Sequence, residues 1–179
     1  MANLKEIRTR IASVSSTRQI TSAMKMVSAA KLRKAQDTII QMRPYANKLH
    51  EILAHLTESL EGDQDNVYGT VREVKTVLII AISSNKGLCG AFNANVTKKV
   101  IQLMEEEYWR QNRENNIEII SIGKKATDLL LSKKIPILET DHDLLDNLSY
   151  ELVVNLAKRI MKSFAAGIYD EVKIVYNQF

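Results

Sequence analysis

Residues 4–43 read LKEIRTRIASVSSTRQITSAMKMVSAAKLRKAQDTIIQMR, without glycine or proline, and with apolar side chains returning every three or four positions. That spacing puts Leu4, Ile7, Ile11 and Val14 on one side of a helix, the seam pattern of a coiled coil. In the same register Arg18, Thr21, Lys25 and Ser28 are polar, and the apolar stripe moves sideways to Ile20, Met24 and Val27. A change of local supercoil accommodates such a shift. The first frame resumes at Leu32, Ala35, Ile39 and Met42 and runs on through Leu49, Leu53, Leu56 and Leu60. Asn3, with Glu6 three positions later, has the form of a capping box. Pro44 lacks a backbone donor and clashes with the preceding turn, so a kink or short interruption is expected there. A helix from Asn3 to Arg43 alone is about 60 Å long, roughly twice the diameter of a small domain. Most of it must project beyond any core the remaining chain can form. Something else has to cover its stripe.

Beyond Leu60 the pattern changes. Glu61 to Thr70 is rich in Gly, Asp and Asn and reads as a linker. Val77 to Ile82 is a continuous apolar, largely β-branched run, the signature of a strand buried on both faces. The turn Ser83-Ser84-Asn85-Lys86-Gly87-Leu88-Cys89-Gly90 follows it, then an amphipathic helix from about Asn93 to Gln111. Ile117–Ile122 reads as a second strand, Lys124–Ser132 as a short helix and Ile135–Leu138 as a third strand. A helix from Leu148 or Ser149 to Ala165 and a strand from Glu171 to Tyr176 close the chain. Strands separated by crossover helices imply a largely parallel sheet covered on both faces. The expected organisation is therefore α/β: a long N-terminal, coiled-coil-forming shaft helix at 1–60, a linker at 61–72, and an open, Rossmann-like α/β domain at 73–179.

The net charge of +4 hides an asymmetry. Residues 1–60 carry ten Lys and Arg against four Asp and Glu, whereas 61–179 carry fifteen against seventeen. The basic character belongs to the rod. The single cysteine, Cys89, excludes an internal disulfide and fits a reducing compartment. No apolar run approaches the length needed to span a bilayer, and the N-terminus has no apolar signal region. A cytoplasmic location is the default expectation.

The candidate chemistries are weak. Gly87-Leu88-Cys89-Gly90 sits between a strand and a helix, where nucleotides bind in many α/β proteins. It lacks the third glycine of the dinucleotide fingerprint and the Lys-Ser/Thr ending of a phosphate-binding loop. Two glycines permitting a sharp bend is the simpler reading. Cys89 has no local histidine to activate it. Glu139, Asp141, His142, Asp143 and Asp146 crowd one loop without the glycine hinge of a calcium loop, and read as a solvated acidic loop. His50 and His55 are five apart, off the shared face that a helical metal pair needs. No metal or cofactor is expected. The basic rod has no aromatic residue before Tyr45 to stack on bases, which counts against nucleic acid, and no Trp or Phe to anchor in a membrane surface. A solvated charged face is the usual reading of such a run, and a protein partner with acidic groups lining a hole or groove is the remaining one.

Two separated motifs point to a family. Thr21-Ser22-Ala23-Met24-Lys25-Met26-Val27-Ser28-Ala29-Ala30-Lys31-Leu32-Arg33-Lys34-Ala35 closely resembles the N-terminal helix motif of the rotary ATP synthase gamma subunit family. Leu4-Lys5-Glu6-Ile7-Arg8, Ile11-Ala12-Ser13-Val14 and Arg43-Pro44-Tyr45 look like the same family, and Gly87-Leu88-Cys89-Gly90-Ala91-Phe92-Asn93 is similar to its strand-exit motif. The resemblance implies a non-catalytic central shaft that turns inside a hexamer of alpha and beta subunits. The α/β domain then lies beside the epsilon subunit and the ring of membrane c subunits, peripheral to the cytoplasmic face of the inner membrane. It implies that Arg8, Ile11, Met24, Lys25, Met26, Val27, Lys31, Arg33 and Lys34 meet the hexamer and its bearing, and that Gly87, Leu88, Cys89 and Gly90 form the strand-exit turn. Members of the family continue into a second shaft helix that this sequence does not contain. Either the chain is truncated, as it looks, or its stripe finds a substitute partner by self-association. A small nucleotide-binding α/β protein is the alternative.

Overall fold

The computed structural model describes residues 3–59, 67–69 and 72–178. The chain divides into two compact units, Met1–Asp63 and Gln64–Phe179. Most of the expected linker, and Leu60 of the seam, lie outside the described residues.

The first unit is one helix, α1, from Leu4 to Ser59. Asn3 Oδ1 accepts from Lys5 N at 3.2 Å, and Asn3 O accepts from Ile7 N at 3.1 Å. The cap expected at Asn3 is thus in place. At 1.5 Å per residue, its 56 residues make a rod of about 84 Å. Pro44 lies inside it, and the helix runs through without the expected interruption. Proline removes only the bond to the Ile40 carbonyl, and the turns on either side stay intact.

The second unit is a four-stranded parallel sheet with helices on both faces. Its elements are β1 (Val77–Ile82), α2 (Phe92–Gln102), α3 (Trp109–Arg113), β2 (Ile117–Ile122), α4 (Lys124–Ser132), β3 (Glu139–Asp141), α5 (Tyr150–Ala165) and β4 (Glu171–Val175). The strand order is β3-β2-β1-β4, every neighbouring pair parallel, so the last crossover returns past β1. Alternate residues of β1 enter opposite cores, as the apolar run requires. Val77, Ile79 and Ala81 pack with Val96, Val100, Ile119 and Leu130 under α2 and α4. Leu78 and Ile80 pack with Ile120, Ile122, Leu144 and Tyr169 on the other face. That second face is thinly covered, because no residue of α5 is buried.

Two expectations need correction. The helix expected from Asn93 to Gln111 is broken by a π-helical turn, Leu103–Glu107, in which Tyr108 N donates to Leu103 O at 2.8 Å. The wide turn accompanies burial of Leu103, Met104 and Tyr108 in one core with Val96 and Val100. The third strand is Glu139–Asp141, not Ile135–Leu138. Ile135 and Ile137 do pack against the core, but sheet pairing begins only at Glu139, opposite Ile120. Leu138 N donates to Ile119 O at 2.9 Å and leads into that pairing, so core packing and the sheet ladder meet at Leu138.

Candidate functional site

No residue of α1 from Asn3 to Leu56 is buried. Its apolar stripe is open along its length: Leu4 is 70% exposed, Ile11 63% and Met24 63%. A stripe of this kind stabilises nothing until something covers it. Every residue assigned to the bearing lies on α1 and is exposed: Arg8, Ile11, Met24, Lys25, Met26, Val27, Lys31, Arg33 and Lys34. The helix does not gather them on one face. At about 100° per residue, Ile11 and Lys25 point one way while Val27 and Lys34 point to roughly the opposite side. Contacts at all these positions require a partner that encircles the rod.

The rod's surface is also smoother than its composition suggests. Thr9, Thr17 and Thr38 each turn their hydroxyl to the backbone carbonyl four residues earlier, at 3.0, 3.0 and 2.9 Å, and Thr21 bonds Arg18 O at 3.0 Å. Those hydroxyls are satisfied within the helix and make little demand on a neighbour. Lys48 and Glu51 form an exposed pair at 2.7 Å. Among the described residues, Lys25, Lys31, Arg33 and Lys34 make no ion pair, so their charge is available to a partner.

The strand-exit turn is a second, rigid feature. Asn93 is 7% exposed, and its side chain is spent on the turn. Its Oδ1 accepts from Ser84 N at 3.0 Å, and its Nδ2 donates to Cys89 Sγ at 3.1 Å. Leu88 and Gly90 both have φ near +60°, where glycine is at ease and leucine is strained. Leu88 nevertheless projects fully into solvent. Asn85 ties the turn to its surroundings: Oδ1 accepts from Lys124 N, and Nδ2 donates to His142 O at 2.8 Å and Asp146 Oδ2 at 3.0 Å. Asn85 and Asn93 are the organising residues that sequence reasoning missed. An Asn within reach of both a turn and a helix start was the only signal.

This geometry gives the nucleotide reading no support. In an open α/β sheet the ligand crevice lies beyond the strand ends where the order reverses, here between β1 and β4. There Asn177 Nδ2 donates to Phe92 O at 2.7 Å, linking the segment after β4 to the start of α2. Three of the four acidic residues of the late loop are likewise engaged. Asp141 Oδ1 accepts from Leu144 N at 2.9 Å, Asp146 holds Asn85, and Glu139 pairs with Arg159 at 2.7 Å. Among the described residues no group of three or more His, Cys, Asp or Glu is placed to hold a metal ion. No helix among them is long and apolar enough to cross a membrane.

A family model described as ATP synthase matches residues 3–179. The ATP synthase gamma chains of Flavobacterium psychrophilum and Flavobacterium johnsoniae are 50% and 51% identical over the whole chain, and that of Chlorobaculum tepidum is 40% identical. The chain spans 60% of the length of the first two relatives and 61% of the third. Among solved structures, a chain of the Tetrahymena thermophila mitochondrial ATP synthase central stalk and c-ring superposes with a TM-score of 0.63 at 24% identity. The match covers 89% of this chain and 66% of that one. A chain of the Euglena gracilis mitochondrial ATP synthase rotor gives 0.56 at 21% identity, covering 96% and 56%. At those identities the likeness concerns the fold. The long open helix, the parallel sheet and the glycine turn between β1 and α2 agree with the family match, and the chain belongs to the ATP synthase gamma chain family.

Proposed function

We propose that this chain is the central-stalk part of a rotary ATP synthase. Its α1 turns inside a hexamer of alpha and beta subunits and carries rotation between that hexamer and the proton-driven c-ring. The observation that carries the reading is a helix of 56 residues with none of Asn3 to Leu56 buried, its candidate contacts distributed around the whole circumference. A helix without glycine joints transmits twist, and Met24, Met26, Ala29 and Ala30 offer a surface of small or adaptable side chains to changing neighbours. Lys25, Lys31, Arg33 and Lys34 meet acidic groups on the encircling subunits in successive positions. The chain itself performs no chemistry; the catalytic sites belong to the beta subunits. The α/β unit sits beside the epsilon subunit and the c-ring, peripheral to the cytoplasmic face of the inner membrane, with no role for nucleic acid.

The test is a double charge reversal, Lys25→Glu with Lys31→Glu, in a reconstituted complex. The chain is carried to full length by splicing residues 1–179 onto the remainder of the Flavobacterium johnsoniae gamma chain. Proton pumping per ATP hydrolysed should fall. Unchanged coupling refutes the assignment of these lysines to the bearing.

A further inference from the structure

Before β1, Tyr68 and residues 72–76 are fastened at one corner of the sheet. The Tyr68 and Phe164 rings stack, with centroids 6.2 Å apart and planes inclined by 13°. The Arg72 guanidinium lies over the Phe164 ring, 4.5 Å from its centroid, while Arg72 Nη2 donates to Phe164 O at 2.9 Å in the last turn of α5. Arg72 Nε faces Asp170 Oδ1 at 3.7 Å. The other oxygen of Asp170 accepts from Lys75 N and Thr76 N, both at 2.9 Å, and Asp170 N donates to Thr76 O. One arginine, one aromatic ring and one carboxylate thus join three places: the segment entering β1, the end of α5 and the start of β4.

Core packing does not account for this arrangement. Phe164 belongs to neither apolar cluster of the sheet, and Arg72 Nε is buried without a hydrogen-bond partner among the described residues. Mechanics does account for it. A lone covalent strand carries tension but not twist, because each residue has two soft backbone dihedrals. A chain segment that must pass rotation into a sheet has to be held to it from the side. We propose that Arg72, Phe164 and Asp170 form a torque clamp, positioning residues that make the entry segment turn with the α/β unit. This rests on the rotor reading above. The clamp needs the flat guanidinium, which stacks on the ring and bonds the carbonyl at once; an ammonium cannot do both.

The experiment uses the full-length spliced chain in an assembled complex with the hexamer immobilised, and reads the thermal angular spread of a probe on the α/β unit. Arg72→Ala and Phe164→Leu should both widen the spread. Arg72→Lys should behave like Arg72→Ala, although it keeps a charge beside Asp170. Arg159→Ala, which breaks an exposed pair elsewhere in the same unit, controls for general loosening and should leave the spread narrow. An unchanged spread in both clamp variants, rescue by lysine, or equal widening in Arg159→Ala overturns the clamp while leaving the rotor reading standing. A wild-type chain that never turns in the complex overturns the rotor reading and the clamp with it.

Discussion

Gly123 shows how much a single position can decide. It follows β2 with φ +97°, and a Cβ there would collide with the Ser83 carbonyl, 2.8 Å from its carbon. Gly123→Ala should cost at least about 3 kcal/mol, because strain and overlap act together at a site with no room to relax; urea unfolding measures it. Asp170 is equally exacting. Backbone donation from Thr76, then Lys75, and the nearby Arg72 hold its carboxyl below the usual range. A carboxylate lowered in the folded state stabilises the protein above its unfolded pKa, and that stability drains away as pH falls through the folded value. Asp170→Asn should therefore flatten the loss of stability as pH falls below the ordinary carboxylate range; an acid limb as steep as wild type would contradict it. At the alkaline end, burial first and then the Glu118 carboxylate push Tyr169 up to about 12. That contribution is complete below pH 10 and disappears by about 12, so Tyr169→Phe should show a shallower alkaline limb. Of these residues Gly123 alone showed in the sequence, at the boundary between the strand Ile117–Ile122 and the helix Lys124–Ser132. Asp170 and Asn93 did not, because their roles depend on backbone donors that only the folded chain brings near.

At the scale of elements, the legible parts were those with strong periodicity. β1, β2 and α4 could be read because their apolar patterns are short and unbroken, and α1 because helical spacing persists although its stripe shifts sideways between Arg18 and Ser28. β3 was misplaced because apolar burial at Ile135 and Ile137 and sheet pairing at Glu139 to Asp141 belong to different residues. The π turn after α2 was invisible because its cause is the tertiary packing of Tyr108, not a local preference. Pro44 is instructive in the opposite sense: the local rule predicted a kink or a short interruption, and the helix runs on across the one missing bond without interruption. Pro44→Ala should restore that bond and stabilise the helix interior by about 3 kcal/mol. The far-ultraviolet helical signal of the free chain should then melt at a higher temperature; an unchanged melt would mean that α1 gains nothing there.

The chain has two units, a four-stranded parallel sheet thinly covered on one face, and a helix that buries none of its residues from Asn3 to Leu56. The division into shaft and sheet could be read because composition and period change together near residue 60. The strand order could not, because crossover partners are set by packing over long separations. The bearing residues were named by resemblance, and their distribution around the helix is the new physical fact. Under the proposed function, a rod contacted on all sides belongs inside a ring. The most direct test fixes the alpha and beta subunits to a support, inserts the spliced full-length chain, and follows a probe on its α/β unit. Addition of ATP should produce stepwise rotation in one direction, and removal of ATP should stop it. A folded chain that enters a hydrolysing hexamer yet leaves the probe stationary would contradict the shaft.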